Sequence, residues 1–342
     1  MAKRAAGTWW MCGFVLMLAA LAGGGCSSDS TAPEDTDKTE YTVRIEASLD
    51  LGAAPHGVAV APSYDRVFIT NFGEGELAVL DPGSLVFRAS VDAGSGAVNV
   101  AVSSRWSQVY VTNETGGTLS VYDLDTLHEI TRIPLGSRPH GLDLDPTEST
   151  LLVCNLGSDE VSRVDLATLT EVGRIPVGST PDSPVFTRDG SSAYVTNYNG
   201  RDPSTLSKIE TSGWTEVKRI PVGIHPHGIQ LSPDGGRLYV SLEGEDVVLV
   251  LDTATDEIVA RYPCGELPHG LGLTPDGRYL WTGNLQSHDI TVLDAATGER
   301  ITTLSLGIGA QPHVIAFAPD GSRAYVSDFF RREVVVVAVS GA

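Results

Sequence analysis

The chain has 342 residues, 42% of them hydrophobic, with 23 Lys and Arg against 43 Asp and Glu for a formal net charge of −20. That apolar content can bury a core and excludes a wholly disordered polymer. The acidity excludes nucleic acid as the main partner, because phosphate backbones are bound by clustered cations.

In chain order, Lys3 and Arg4 precede a short apolar run, "FVLMLAALAGGG" (14–25), which ends in small residues. It is too short to span a bilayer and reads as an export signal over residues 1–25. Cys26 follows at once, and "LAGGGC" (21–26) resembles the bacterial lipobox. The resemblance implies a lipidated Cys26 that anchors the protein to a membrane. Ser27 after it, by analogy with lipoprotein sorting, points to the outer membrane and hence to its periplasmic or surface side. Residues 26–40, with "SSDSTAPEDTDKTE" after the cysteine, are polar and acidic and are expected to form a disordered tether. Cys154 and Cys264 are too far apart for a metal-ligand spacing and read as small core residues.

The remainder, 41–342, is a repeat. His56, Val98, His140, Asp182, His227, His269 and His313 follow one another at steps of 42, 42, 42, 45, 42 and 44 residues. Asp81, Asp123, Asp165, Glu210, Asp252, Asp294 and Ala338 keep the same steps. Each unit holds four short strands, as in "HGIQLS" (strand a), "RLYVSL" (b), "DVVLVLD" (c) and "IVARYPC" (d), separated by Asp, Gly, Pro and Thr. Four strands per period of this length predict an all-β, seven-bladed β-propeller in one domain. The seventh unit lacks its strand d, and "YTVRIEASLDLG" (41–52) precedes the first unit. The N-terminal strand is therefore expected to close the last blade and remove its free edge.

The strands "VYVTN" (109–113), "AYVTN" (193–197) and "FITN" (68–71), with "SPDG" and "APDG" turns, resemble the YVTN-type propeller family of YncE-like proteins across 41–342. That resemblance implies an exported protein of the cell envelope. Bacterial lactonases share the "PDG" turns and related strands, and the virginiamycin-type lyases use a propeller histidine with magnesium.

Strand a of a propeller lines the channel, so Pro-His-Gly, found at 55–57, 139–141, 226–228 and 268–270 and nearly again at Pro312-His313-Val314, rings one mouth of it. Proline fixes the inward turn and glycine permits close backbone approach. Neither role explains the histidine. An imidazole there either hydrogen-bonds a neighbouring blade or faces the channel as a ligand. His56, His140, His227, His269 and His313, with Asp182 in blade 4, form a donor set suited to copper, zinc or iron, and two or three adjacent histidines are enough for one ion. Only Val98 of blade 2 is apolar.

The blade 4 loop "NYNGRDPST" (197–205) is three residues longer than its counterparts, which makes Tyr198, Asn199 and Arg201 candidates for the rim. The series Asn71, Asn113, Asn155, Asn197, Asn284 and Asp328 at the end of strand b reads as turn-formers, as does the Asp series after strand c. No nucleophile elbow, phosphate loop or haem-attachment motif occurs. The sequence thus predicts a monomeric, lipid-tethered binding or scaffold protein whose histidine face takes a small ligand, an envelope protein or a metal. The alternative is a metal-dependent lyase, lactonase or oxidoreductase acting at that face.

Overall fold

The computed structural model describes residues 41–198 and 204–341. The expected signal, Cys26, the tether, Asn199 and Arg201 lie outside them. Within them the chain forms seven four-stranded antiparallel sheets and no helix. The innermost strands are Pro55–Val60, Ala97–Ser103, Pro139–Leu144, Pro181–Phe186, Pro226–Leu231, Pro268–Leu273 and Pro312–Phe317. They surround the central channel as expected.

Burial follows from position in the blade. Strand b of blade 1, Val67–Asn71, is buried at every residue, because sheets of neighbouring blades cover both its faces. Strand d, Val86–Asp92, alternates between half-buried and exposed, as an outer strand with one wet face should. Core clusters run between blades, for instance Phe68, Leu77 and Val79 of blade 1 with Val109, Val111 and Tyr122 of blade 2.

The last blade is closed by the N-terminal strand. Thr42–Asp50 pairs antiparallel with Glu333–Ser340, from Thr42 opposite Ser340 to Asp50 opposite Glu333. A bulge falls between Ile45 and Ala47. It leaves Glu46 free to take both arms of the Arg323 guanidinium at 2.7 Å each. Tyr41 stacks on Tyr279 with ring centroids 3.7 Å apart and accepts the Trp281 indole N–H at 3.0 Å. The seam joins residues some 240 to 300 positions apart, so its loss opens the ring.

Candidate functional site: a closed ring of imidazoles

A β-bulge in every blade aims the histidine position into the channel. In blade 3 Pro139 pairs with Asn155 and Leu142 with Val153, so His140 and Gly141 together face the single residue Cys154. The same register shift follows Pro55, Pro181, Pro226, Pro268 and Pro312, and Ala97 of blade 2. An extra residue on one strand bends it and redirects a side chain.

Hydroxyls of strand b then lock five of the seven bulges to the next blade, while blades 3 and 6 carry Cys154 and Gly283 at that position. Ser241 Oγ accepts the Gly228 N–H at 2.8 Å and donates to the His269 carbonyl at 2.7 Å. Thr70, Thr112, Thr196 and Ser327 do the same, and Ser327 reaches across the seam to the His56 carbonyl at 2.5 Å. The glycine of Pro-His-Gly is required by that closeness. A Cβ on Gly57 would lie 2.8 Å from the Val98 carbonyl, and one on Gly228 2.5 Å from that of His269. The expectation of close backbone approach is met.

The five imidazoles form a closed circuit. Ring centroids are separated by 5.3 Å for His56 and His140, 6.3 Å for His140 and His227, and 3.5 Å for His227 and His269. His269 to His313 is 4.5 Å and His313 back to His56 is 5.2 Å. Four are buried, His56, His269 and His313 keeping 9% of their surface and His140 6%, while His227 is half-buried. Asp182, 4% exposed, lies 3.5 Å from His140 Nδ1 and 3.4 Å from His227 Nε2.

Glu243, Tyr198, His225 and Phe329 complete the site from the adjoining loops. Glu243, 6% exposed, meets His269 Nδ1 at 2.5 Å and accepts the Tyr198 hydroxyl at 2.9 Å. Tyr198 in turn stacks on His225 at 4.8 Å. Phe329 leans against His313 with centroids 4.9 Å apart.

The imidazoles are only partly tied to neighbouring blades: His269 Nδ1 meets Glu243 of blade 5 at 2.5 Å, and Asp182 of blade 4 lies beside His140 and His227. His56 Nδ1, His140 Nδ1, His227 Nδ1 and His269 Nε2 are buried without a partner in hydrogen-bonding geometry. His313 Nδ1 meets a backbone carbonyl, that of Gln311, at 2.9 Å. Buried polar atoms left unpaired in a native fold call for a ligand or ordered water.

Burial, reinforced by the neighbouring rings, pushes His56 and His269 well below the ordinary histidine range, and burial pushes His313 down to about 4. These three rings are neutral at neutral pH and keep a lone pair to donate. Burial raises the Glu243 carboxyl, with the His227 imidazole and the Tyr198 hydroxyl acting against it. Two sets of donors converge: His56, His269 and His313, and His227, Glu243 and His269, each with ligand atoms within 4.8 Å of one another. Tetrahedral zinc holds nitrogen donors about 3.3 Å apart at bond lengths of ~2 Å, so the atoms of either set, up to 4.8 Å apart, must draw closer to hold one ion.

The circuit borders a cavity of about 490 Å³ that continues along the channel past Asn99, Asp143, Ser183, Gln230 and Phe317. Within it Asp143 accepts the Phe186 N–H at 2.7 Å, and burial pushes its carboxyl up to about 7.

Other sequence candidates have different fates. Of the strand b series, Asn71 and Asp328 cap their turns by accepting the Glu74 and Arg331 N–H groups, but Asn113, Asn155 and Asn197 do not. Their amides donate across to the strand c hydroxyls of Ser120, Ser162 and Ser207 at 2.8 to 2.9 Å, because strand b is buried and strand c offers the nearest acceptor. The Asp series does form turns, as where Asp123 Oδ1 accepts the Thr126 N–H at 2.8 Å. Cys154 is buried and Cys264 partly so, both as free thiols. Glu243 was not singled out by the repeat. Its signal was an acid just past strand b, where blades 1, 3, 6 and 7 carry Phe72, Leu156, Leu285 and Phe329.

Fold and site define a seven-bladed propeller with a buried, histidine-rich and carboxylate-bearing centre across its channel. The chain belongs to the lactonase, seven-bladed β-propeller family, whose model matches residues 134–306. Among solved structures it is similar to hydrazine synthase of Kuenenia stuttgartiensis, at 20% identity over 84% of this chain and 96% of that one, with a TM-score of 0.78. At that identity the likeness is one of fold. No curated protein matches the chain.

Proposed function

We propose that this protein is a transition-metal-binding propeller of the cell envelope, of YVTN type, held to the membrane through Cys26 and taking copper, zinc or iron at its imidazole circuit. The observation that supports this most is the set of four buried, unpaired imidazole nitrogens beside two buried carboxylates. Neutral imidazole and carboxylate together are the donors such ions prefer. A cation also offsets the cost of burying Asp182 and Glu243 so close together. The test is thermal melting of the wild type, His227→Ala and His269→Ala with and without copper or zinc at pH 7.5. The wild type should gain stability, by about 2.7 kcal/mol at a hundredfold excess over Kd; His269→Ala, which removes the donor common to both sets, should gain little, and His227→Ala should keep only what His56, His269 and His313 can supply. An equal rise in all three proteins contradicts the reading.

A second reading, metal-assisted lactone hydrolysis, is favoured by family membership and by Asp143 in the adjoining cavity. A carboxyl titrating near 7 is matched to general-base work at neutral pH. A metal beside it would polarise the lactone carbonyl. Zinc-dependent hydrolysis of a simple δ-lactone, lost in Asp143→Asn with zinc binding retained, would support it. Zinc binding without turnover leaves the protein a binder.

A further inference from the structure

Each inner strand begins at the imidazole circuit and runs to the turn that joins it to strand b, at the opposite mouth of the channel. Three residues beyond the histidine position the repeat holds Ala59, Ala101, Val185, Gly272 and Ala316, all small or apolar, but blade 3 carries Asp143 there and blade 5 Gln230. Blade 4 lies between those two. Six residues beyond the same position, blades 1, 3, 5, 6 and 7 place the proline of their turn, Pro62, Pro146, Pro233, Pro275 and Pro319, whereas blade 4 places Arg188. Three departures from the repeat thus fall on three neighbouring blades. Asp143, Arg188 and Gln230 border one cavity of about 240 Å³, whose apolar wall includes Leu144, Val185 and Phe186.

Arg188 is exposed and makes no hydrogen bond and no ion pair among the described residues, although acids outnumber bases 43 to 23 in the chain. Asp143 accepts the Phe186 N–H at 2.7 Å, and Gln230 Nε2 reaches the Leu271 carbonyl at 3.4 Å. Burial pushes the Asp143 carboxyl up to about 7, with Asp145 of the following turn adding to the rise and the Arg188 guanidinium drawing it down. The geometry points to a binding site for a small monocarboxylate at this mouth, with Arg188 on its charge, Asp143 and Gln230 on its oxygens, and its short apolar chain against Leu144, Val185 and Phe186. A planar guanidinium fork matches a carboxylate, and a neutral Asp143 carboxyl donates a hydrogen bond to it. One guanidinium close to Asp145 and Asp189 balances a single negative charge, not the two of a phosphate. The site uses no metal and shares no residue with the imidazole donor sets, so it stands apart from the metal-binding reading.

The test is calorimetric titration of the metal-free full chain with butyrate at pH 6.0 and 8.5, between which butyrate itself stays ionised. Affinity should fall by about thirtyfold from the lower to the higher pH, as a carboxyl titrating near 7 loses the proton it donates. Asp143→Asn, whose amide donates at any pH, should bind equally at both. Arg188→Pro restores the turn residue of five other blades, so the fold is kept, and should weaken butyrate at pH 6.0 by about tenfold or more. Arg188→Lys should recover part of that loss, and zinc uptake should be the same in all three variants as in the wild type. Butyrate affinity unchanged in Arg188→Pro, equal wild-type affinity at the two pH values, inorganic phosphate bound as tightly as butyrate, or no butyrate binding at all would each overturn the proposal and leave the metal-binding reading untouched.

Discussion

Replacing Asp143 by Asn isolates one titration within a channel that holds several. The change keeps an acceptor for the Phe186 N–H and nearly the same volume, so packing is conserved. In the folded protein burial pushes the Asp143 carboxyl up from 3.8 to about 7. A group whose pKa is raised on folding stabilises the native state fully below its unfolded value and loses that contribution as pH rises through its folded value. The wild type should therefore lose stability, relative to Asp143→Asn, between about pH 4 and pH 7. At 1.36 kcal/mol per pH unit the ceiling is about 4 kcal/mol, and partial solvent access brings the expectation to roughly 2 kcal/mol. The depressed histidines act in the opposite sense: their contribution is complete above about 6.5 and is lost as pH falls through their lowered folded values, about 4 for His313. The wild-type profile is thus a difference of two terms, and the variant removes one of them. Urea denaturation of both proteins from pH 4.5 to 8.5 provides the comparison. The variant should be the more stable protein at pH 8 and lose that advantage by pH 5. Parallel profiles would refute the burial argument for Asp143.

Deleting residues 41–50 should expose the edge of Glu333–Ser340 and cause aggregation or a large fall in melting temperature, seen by scanning with light scattering, whereas deleting 27–40 should leave melting unchanged. Gly141→Ala places a Cβ against the Asp182 carbonyl and Ser183 and should cost roughly 1–3 kcal/mol in urea denaturation. Ser241→Ala leaves the Gly228 N–H and the His269 carbonyl without their hydroxyl, costing about 1–3 kcal/mol, and should weaken zinc binding in calorimetry though no donor is touched. Zinc affinity should hold well below pH 6.5, where ordinary histidines protonate, and collapse toward pH 4, the level to which His313 is pushed. A midpoint near 6.5 in a pH series of binding isotherms contradicts the neutral-ring argument.

The blade count and the closing strand were legible because a propeller repeats its side-chain pattern at a fixed period, and both markers kept the same steps from His56 to His313. The inward aim of the histidines was half legible. Glycine after histidine announced close approach, but not the bulge that sets His140 and Gly141 against Cys154 alone. The tightness of the circuit was hidden, since spacing along the chain carries no information about distance across a channel. It depends on the hydroxyls of Thr112, Thr196, Ser241 and Ser327, which read as ordinary strand residues. Glu243 escaped because blade 5 departs from the strand b series at Leu242, just where the acid enters.

The most direct measurement is the metal content of the untagged full chain as isolated, by elemental mass spectrometry, beside a His56→Ala, Glu243→Gln double variant that removes one donor from each set. The account predicts about one equivalent of copper, zinc or iron in the wild type, as isolated or on reconstitution, and a small fraction of that in the double variant. Wild type and variant with equally negligible metal, before and after reconstitution, would contradict it.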